Sequence, residues 1–203
     1  MTTIIGIQGD GFAVVVSDTR ISSFDESGSA YQISTLGPGS TKMATNGKYV
    51  LGAAGDMRAI NILHHVFRPP EPPVDDDPRR LDTFITGKFI PALRACFDNQ
   101  GYSPPDGKDK EHSAEQGSSI VVMVNSCIYL IENDYSWTSE VTGLYVTGTG
   151  APYALGALQA LIAGKEITAQ QAKRTALKAI AIAAKFDPYT GGPFNTNVQE
   201  TDK

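Results

Sequence analysis

The chain has 203 residues with 17 basic and 22 acidic side chains, a net charge of −5 and a hydrophobic fraction of 41%. Those values suit one globular domain with a sizeable core, and they exclude overall disorder and the basic footprint of a nucleic-acid binder. No apolar stretch is long enough to span a bilayer, and Gly6, Gln8, Gly9 and Asp10 break up the start as a signal peptide, so a cytoplasmic protein with no membrane partner is expected.

In chain order, residues 3–7 form a β-rich run, Gly9-Asp10-Gly11 is a turn signal, and residues 12–16 form a second apolar run. Together they predict a hairpin. A loop at Gly9-Asp10 places Thr2 opposite Ser17, and a loop at Asp10-Gly11 places it opposite Thr19. In either register the N-terminus ends beside Ser17-Asp18-Thr19.

A polar, Gly/Ser-rich stretch follows over residues 22–40, then Lys42-Met43 leads to Gly47, and residues 49–54 read as a strand. Asp56 is a fitting N-cap for a helix with Met57, Ile60, Leu63 and Phe67 at helical spacing. Residues 68–80 hold prolines and the run Asp75-Asp76-Asp77, which predicts a loop between helices with a solvated acidic surface. A second helix is expected over 81–99, kinked or broken at Pro91.

Residues 101–117 read as a long polar loop. Strands follow at 119–124 and 127–132 around a tight Asn125-Ser126 turn, with a short strand at 144–146 entering Thr147-Gly148-Thr149-Gly150-Ala151-Pro152. Helices are predicted at 152–163 and 168–185, separated by Gly164, with a last short strand at 195–198. Cys96 and Cys127, the only cysteines, lie in apolar segments and are expected as buried free thiols. Runs of strands alternating with pairs of helices predict one α+β domain over 1–203, arranged as a helix–sheet–sheet–helix sandwich.

A set of motifs in fixed order resembles the proteasome β subunits and HslV, which are N-terminal-nucleophile hydrolases. It comprises Thr2-Thr3-Ile4-Ile5-Gly6, Ser17-Asp18-Thr19-Arg20, Thr41-Lys42-Met43, Leu51-Gly52-Ala53-Ala54-Gly55-Asp56, Gly148-Thr149-Gly150-Ala151-Pro152-Tyr153 and Asp187-Pro188-Tyr189-Thr190-Gly191-Gly192. No single piece is specific, but the ordered set spans nearly the whole chain. The resemblance implies a four-layer αββα sandwich with two antiparallel sheets, homo-oligomeric stacked rings, and a threonine peptidase without a cofactor that degrades unfolded polypeptide. Nothing in the chain resembles an ATPase, so unfolding would need a separate ATPase partner.

The resemblance also implies roles. Thr2 becomes the nucleophile once Met1 is removed, and its own α-amine, with a reference pKa of about 7.7–8.0, is the base. Lys42 matches the lysine whose charge keeps that amine neutral, and Asp18 the acid that holds the lysine. The hairpin register supports Asp18 independently. Asp187 and Thr190 match the pair that orients the amine. Gly52 matches the glycine whose N–H forms the oxyanion hole, where one donor can be worth roughly 3–4 kcal/mol. Ile21, Ala44, Val50 and Ala54 would line the pocket for the substrate side chain before the cut, which predicts a preference for apolar residues, and Ser22 would contact the substrate backbone.

Two departures bear on activity. Ala151 stands where the proteasome has a serine, which leaves Thr149 to supply the hydroxyl or the site weakened. Met1 directly precedes Thr2, the HslV arrangement, in which methionine aminopeptidase exposes the nucleophile. The competing reading is a catalytically inactive ring or scaffold protein of the same fold. Taken singly, each residue has an ordinary explanation: a strand threonine, a turn aspartate, a solvated lysine. Gly148-Thr149-Gly150 lacks the Gly-Lys-Ser/Thr of a phosphate loop, and His64, His65 and His112 give no metal pattern.

Overall fold

The computed structural model describes residues 1–28, 30–74, 78–102 and 117–201. The strands are β1 Thr3–Gly9, β2 Phe12–Ser17, β3 Arg20–Phe24, β4 Ala30–Thr35, β5 Met43–Asn46, β6 Tyr49–Ala54, β7 Ser119–Val124, β8 Cys127–Ile131, β9 Trp137–Thr138, β10 Leu144–Gly148 and β11 Asn195–Glu200. The helices are α1 Met57–His65, α2 Pro78–Phe84, α3 Ile90–Asn99, α4 Ala151–Ile162 and α5 Ala169–Phe186, with a π-helical turn at Ile85–Phe89 between α2 and α3.

One antiparallel sheet has the order β10-β1-β2-β11 and another β5-β6-β7-β8-β9, with β3 and β4 paired as a separate ribbon. Side-chain alternation distributes three apolar clusters among four layers. Leu51, Ala53, Val122 and Val124 face α1, α2, the π-turn and α3 through Ile60, Leu63, Leu81, Phe89 and Leu93. Ile4, Val15, Val50, Val121 and Ile128 pack between the sheets. Ile5, Ile7, Val14 and Val16 face α4 and α5 through Leu158, Ala172, Ala176 and Ala183. The α5 face is built mainly from alanine, which lets the helix lie close to the sheet. This is the α+β, helix–sheet–sheet–helix sandwich expected from the element order.

Local chemistry explains most element ends. The hairpin takes the Asp10-Gly11 register, with Ile4 opposite Ser17 and Gly9 opposite Phe12. Gly11 sits at φ +71°, where a side chain would be strained. Asp56 caps α1 by accepting the Arg58 N–H, and Thr168 with Gln171 forms a full capping box on α5. Asn125 and Ser126 both have positive φ, as a two-residue hairpin turn requires.

Several expectations are corrected. Residues 78–80 belong to α2 rather than to a loop, because Pro78 starts the helix, where its missing N–H would be unpaired anyway. The expected break at Pro91 is a widened turn just upstream: Pro91 has no N–H to return to the Gly87 carbonyl, and Gly87 lies in the π-turn. Part of the 22–40 stretch is the ribbon β3–β4, whose residues 32–35 are exposed, and β5 was not expected. Cys96 and Cys127 are in no disulfide but are half-buried rather than buried. Trp137 packs as an edge, its ring 5.1 Å from that of Tyr129 and its Nε1 donating to Thr86. The acidic run 75–77 and most of the 101–117 loop lie outside the described residues. Among the described residues no helix is long and apolar enough to cross a membrane, and no group of His, Cys, Asp or Glu is placed to hold a metal.

Candidate active site

The N-terminal backbone is gripped from both sides where β1 meets the ends of its neighbours. The hairpin register carries Thr2 to a place opposite Thr19, so Asp18 falls next to Thr3. The Asp18 N–H donates to the Thr3 carbonyl at 3.1 Å, and Asp18 Oδ1 accepts the Thr3 N–H at 2.9 Å. The same oxygen holds the Lys42 ammonium at 2.7 Å, with both side chains essentially excluded from solvent. Asp18 Oδ2 accepts the N–H groups of Arg20 and Gly191 at 3.1 and 3.2 Å. A buried carboxylate with this many donors meets the requirement that buried charge be paired and hydrogen-bonded.

Lys42 donates its second hydrogen bond to the carbonyl of Met1, 2.9 Å away. The ammonium therefore lies against the peptide group that precedes the buried Thr2. Burial lowers the Lys42 pKa from the ordinary lysine value, and the neighbouring Asp18 works against that shift.

On the far side, the Thr149 N–H donates to the Thr2 carbonyl at 3.0 Å. That approach requires glycine at 148: at φ +94° a Cβ there would lie 1.8 Å from the Thr2 carbonyl oxygen. The Thr149 hydroxyl donates to Asp187 Oδ2 at 2.8 Å, and the Thr190 hydroxyl donates to the same oxygen at 2.5 Å. Ala151, the first residue of α4, brings no hydroxyl, and Thr149 supplies one to Asp187 instead.

Gly52 is buried in β6 opposite Met43, where a Cβ would lie 2.5 Å from Met43 Cγ and 3.0 Å from the Lys42 carbonyl oxygen. It thus lies against the backbone that carries Lys42. Ser22 is buried, and its hydroxyl has no partner among the described residues. Val50 and Ala54 alternate with Leu51 and Ala53, so they share the Gly52 face of β6. Ala44 does not join them. It pairs with Leu51 and so lies on the face turned towards α1, while Met43 occupies the face shared with Gly52. Ile21 is part-exposed on β3 opposite Ser34.

Two residues not singled out in the sequence take part in this framework. Thr3, fully buried, has its hydroxyl 2.6 Å from the Thr190 hydroxyl and 3.0 Å from the Gly150 N–H that donates to it. Arg20 donates to the Pro188 carbonyl at 2.7 Å and lies where any side chain at Gly191 would have to go. Arg20 thereby ties β3 to the turn that carries Asp187 and Thr190. The sequence signal for Thr3 was alternation: one residue after Thr2, it must face the α4–α5 side of β1, as Ile5 and Ile7 do.

The layers form a helix–sheet–sheet–helix sandwich with Thr2 and Thr3 buried at one end, and solved structures share this fold. The chain matches Thiobacillus denitrificans BPH in complex with epoxomicin at TM-score 0.71 and 18% identity, over 99% of this chain and 100% of that one. It matches Thiobacillus denitrificans BPH alone at TM-score 0.71 and 19% identity, over 98% and 97% of the two chains. Eukaryotic HslV from Trypanosoma brucei matches at TM-score 0.61 and 19% identity, over 98% and 99%. No protein-family profile and no curated relative matches the chain. At such identities the shared property is the fold.

Proposed function

We propose that the protein is a threonine peptidase that cleaves unfolded polypeptide, with Thr2 as nucleophile and its own amine as base once Met1 is removed. The observation that carries this reading is that Asp18, Lys42 and Thr149 converge on the backbone of residues 1–3 from separate elements. With Met1 gone, the Lys42 ammonium loses its carbonyl acceptor and stands beside the new amine, which it keeps neutral. The amine takes the Thr2 hydroxyl proton as the oxygen attacks the scissile carbonyl, and the Gly52 N–H donates to the resulting oxyanion. The proton passes to the leaving amine, and water then hydrolyses the ester to free Thr2. Asp187 and Thr190 orient the amine. Ile21, Val50 and Ala54 favour an apolar side chain before the cut, and the Ser22 hydroxyl, without a partner among the described residues, is available to the substrate backbone. Polypeptide with stable structure would need a separate ATPase to unfold it.

The expected activity is hydrolysis of short fluorogenic peptides with an apolar residue before the cut, blocked by epoxomicin, the ligand in one of the similar structures. Its pH dependence follows from the site. Burial first, and the Lys42 ammonium second, hold the Met1 amine below the ordinary α-amine value of 8.0, while Asp18 and Asp187 pull it upward. The Thr2 amine, next to the same ammonium, should be lowered in the same sense. An amine acts as base only when neutral, so kcat/KM should fall on the acid side through a limb below about 8. A limb at or above that value would contradict the role given to Lys42.

The reading includes assembly into homo-oligomeric rings. Tyr153, Leu155, Leu161 and Phe186 are exposed on α4 and α5, and the rings of Tyr153 and Phe186 stack with centroids 5.8 Å apart. Exposed apolar side chains of this kind, the stacked Tyr153–Phe186 pair above all, suit a subunit contact. Light scattering at micromolar concentration should give a mass several times 21.7 kDa, and a mass near 21.7 kDa would count against the rings.

A further inference from the structure

We infer that Thr3 is a positioning residue for the proposed nucleophile, acting through a one-way chain of hydrogen bonds that ends on Asp187; the inference rests on the peptidase reading above. The direction of the chain follows from the proton count. A threonine hydroxyl has one proton to give. The Thr190 proton goes to Asp187 Oδ2 at 2.5 Å, because an ionised carboxylate only accepts. The Thr190 oxygen must then accept at its 2.6 Å contact with Thr3, which makes Thr3 the donor. The Thr3 oxygen in turn accepts the Gly150 N–H at 3.0 Å. The sequence is Gly150 N–H to Thr3, Thr3 to Thr190, Thr190 to Asp187, and no member can reverse without two protons meeting.

The backbone of Thr3 is fixed on the opposite wall, since both its N–H and its carbonyl bond to Asp18. Thr3 therefore joins the Asp18–Lys42 pair to the Asp187–Thr190 turn across the base of Thr2, in addition to the direct bond from the Gly191 N–H to Asp18. Space in this crossing is tight: a Cβ on Gly150 would lie 2.5 Å from the Thr3 hydroxyl and 2.7 Å from that of Thr190. Once Met1 is removed, Thr2 is a terminal residue with no preceding peptide to hold it. What then sets its distance from both walls is the Thr149 contact to its carbonyl and the clamp on its neighbour. A displaced nucleophile loses rate in the bound complex more than it loses substrate affinity.

The test compares kcat and KM for an apolar fluorogenic peptide, with thermal melts, in the intact assembled protein carrying Thr3→Val or Thr3→Ser. Valine keeps the shape, removes the proton that Thr3 donates to the Thr190 oxygen and leaves the Gly150 N–H without its acceptor. The expected loss in kcat is roughly tenfold or more, with KM within about twofold. Serine keeps the hydroxyl, and kcat should stay within about threefold of the parent. If Thr3→Val does not assemble, Thr3→Ala takes its place with the same expectations. Two results would overturn the inference while leaving the peptidase reading intact: a folded Thr3→Val or Thr3→Ala protein with near-parent kcat, or Thr3→Ser as impaired as Thr3→Val. A parent protein that hydrolyses no peptide would overturn the peptidase reading and this inference with it.

Discussion

Lys42→Ala should abolish peptide hydrolysis in a protein that still folds and assembles. The ammonium is fully buried and makes two hydrogen bonds, to Asp18 at 2.7 Å and to the Met1 carbonyl at 2.9 Å. In the processed protein it adds to burial in keeping the Thr2 amine unprotonated, and without it the Asp18 and Asp187 carboxylates pull the amine towards its protonated form, which cannot act as a base. Acid–base assistance of this kind is typically worth about 10²–10⁴-fold, and the loss should fall in that range. Removing one member of a buried ion pair can cost about 3–5 kcal/mol of stability, because the other charge is stranded. Here Asp18 keeps the N–H groups of Thr3, Arg20 and Gly191, so its carboxylate remains hydrogen-bonded and the cost should be smaller. A lowered melting temperature with intact assembly is therefore expected.

Lys42→Arg should restore little, since a planar guanidinium cannot fill the space of a compact ammonium held between one carboxylate oxygen and one carbonyl. Thr2→Ala/Lys42→Ala should be no slower than either single variant, because the two residues act as a unit. Near-normal hydrolysis by a folded Lys42→Ala protein would make Lys42 a structural charge.

What the chain discloses without a structure depends on the range of the interaction. The β1–β2 register narrowed to two possibilities from strand pairing alone, and Gly11 at φ +71° selects one of them. The Asp56 cap, the Thr168–Gln171 capping box and the Asn125-Ser126 turn are local chemistry, and each could be read within a few residues. The β3–β4 ribbon could not, because its exposed residues 32–35 carry no alternating apolar signal to mark a strand.

Ala44 illustrates a different limit. The resemblance assigns it to a pocket, but β5 is only 4 residues long and its pairing sets Met43, not Ala44, beside Gly52. A shift of one position along a strand exchanges the faces. Thr3 was hidden for a third reason. Its partners Gly150 and Thr190 are 147 and 187 residues away, and a buried threonine next to another threonine looks like an ordinary strand residue. By contrast, the placing of Asp18 beside the N-terminus was legible in the hairpin register and in the ordered motifs, although its backbone bonds fall on Thr3 rather than Thr2.

Thr2 itself carries the largest expected effect. Thr2→Ala removes the attacking oxygen and should reduce hydrolysis to background, whereas Thr2→Ser keeps a hydroxyl and should retain part of the activity. Both variants should melt close to the parent, because the anchor at this position is the Thr2 carbonyl, held by the Thr149 N–H, not the Thr2 side chain. The amine poses the sharper demand. While Met1 is attached, the nitrogen of Thr2 is part of a peptide bond and cannot act as a base. The most direct measurement is the intact mass, with N-terminal sequencing, of a preparation whose peptidase rate has been determined. The account predicts that the active protein begins at Thr2. An active preparation that retains Met1 in full would contradict it.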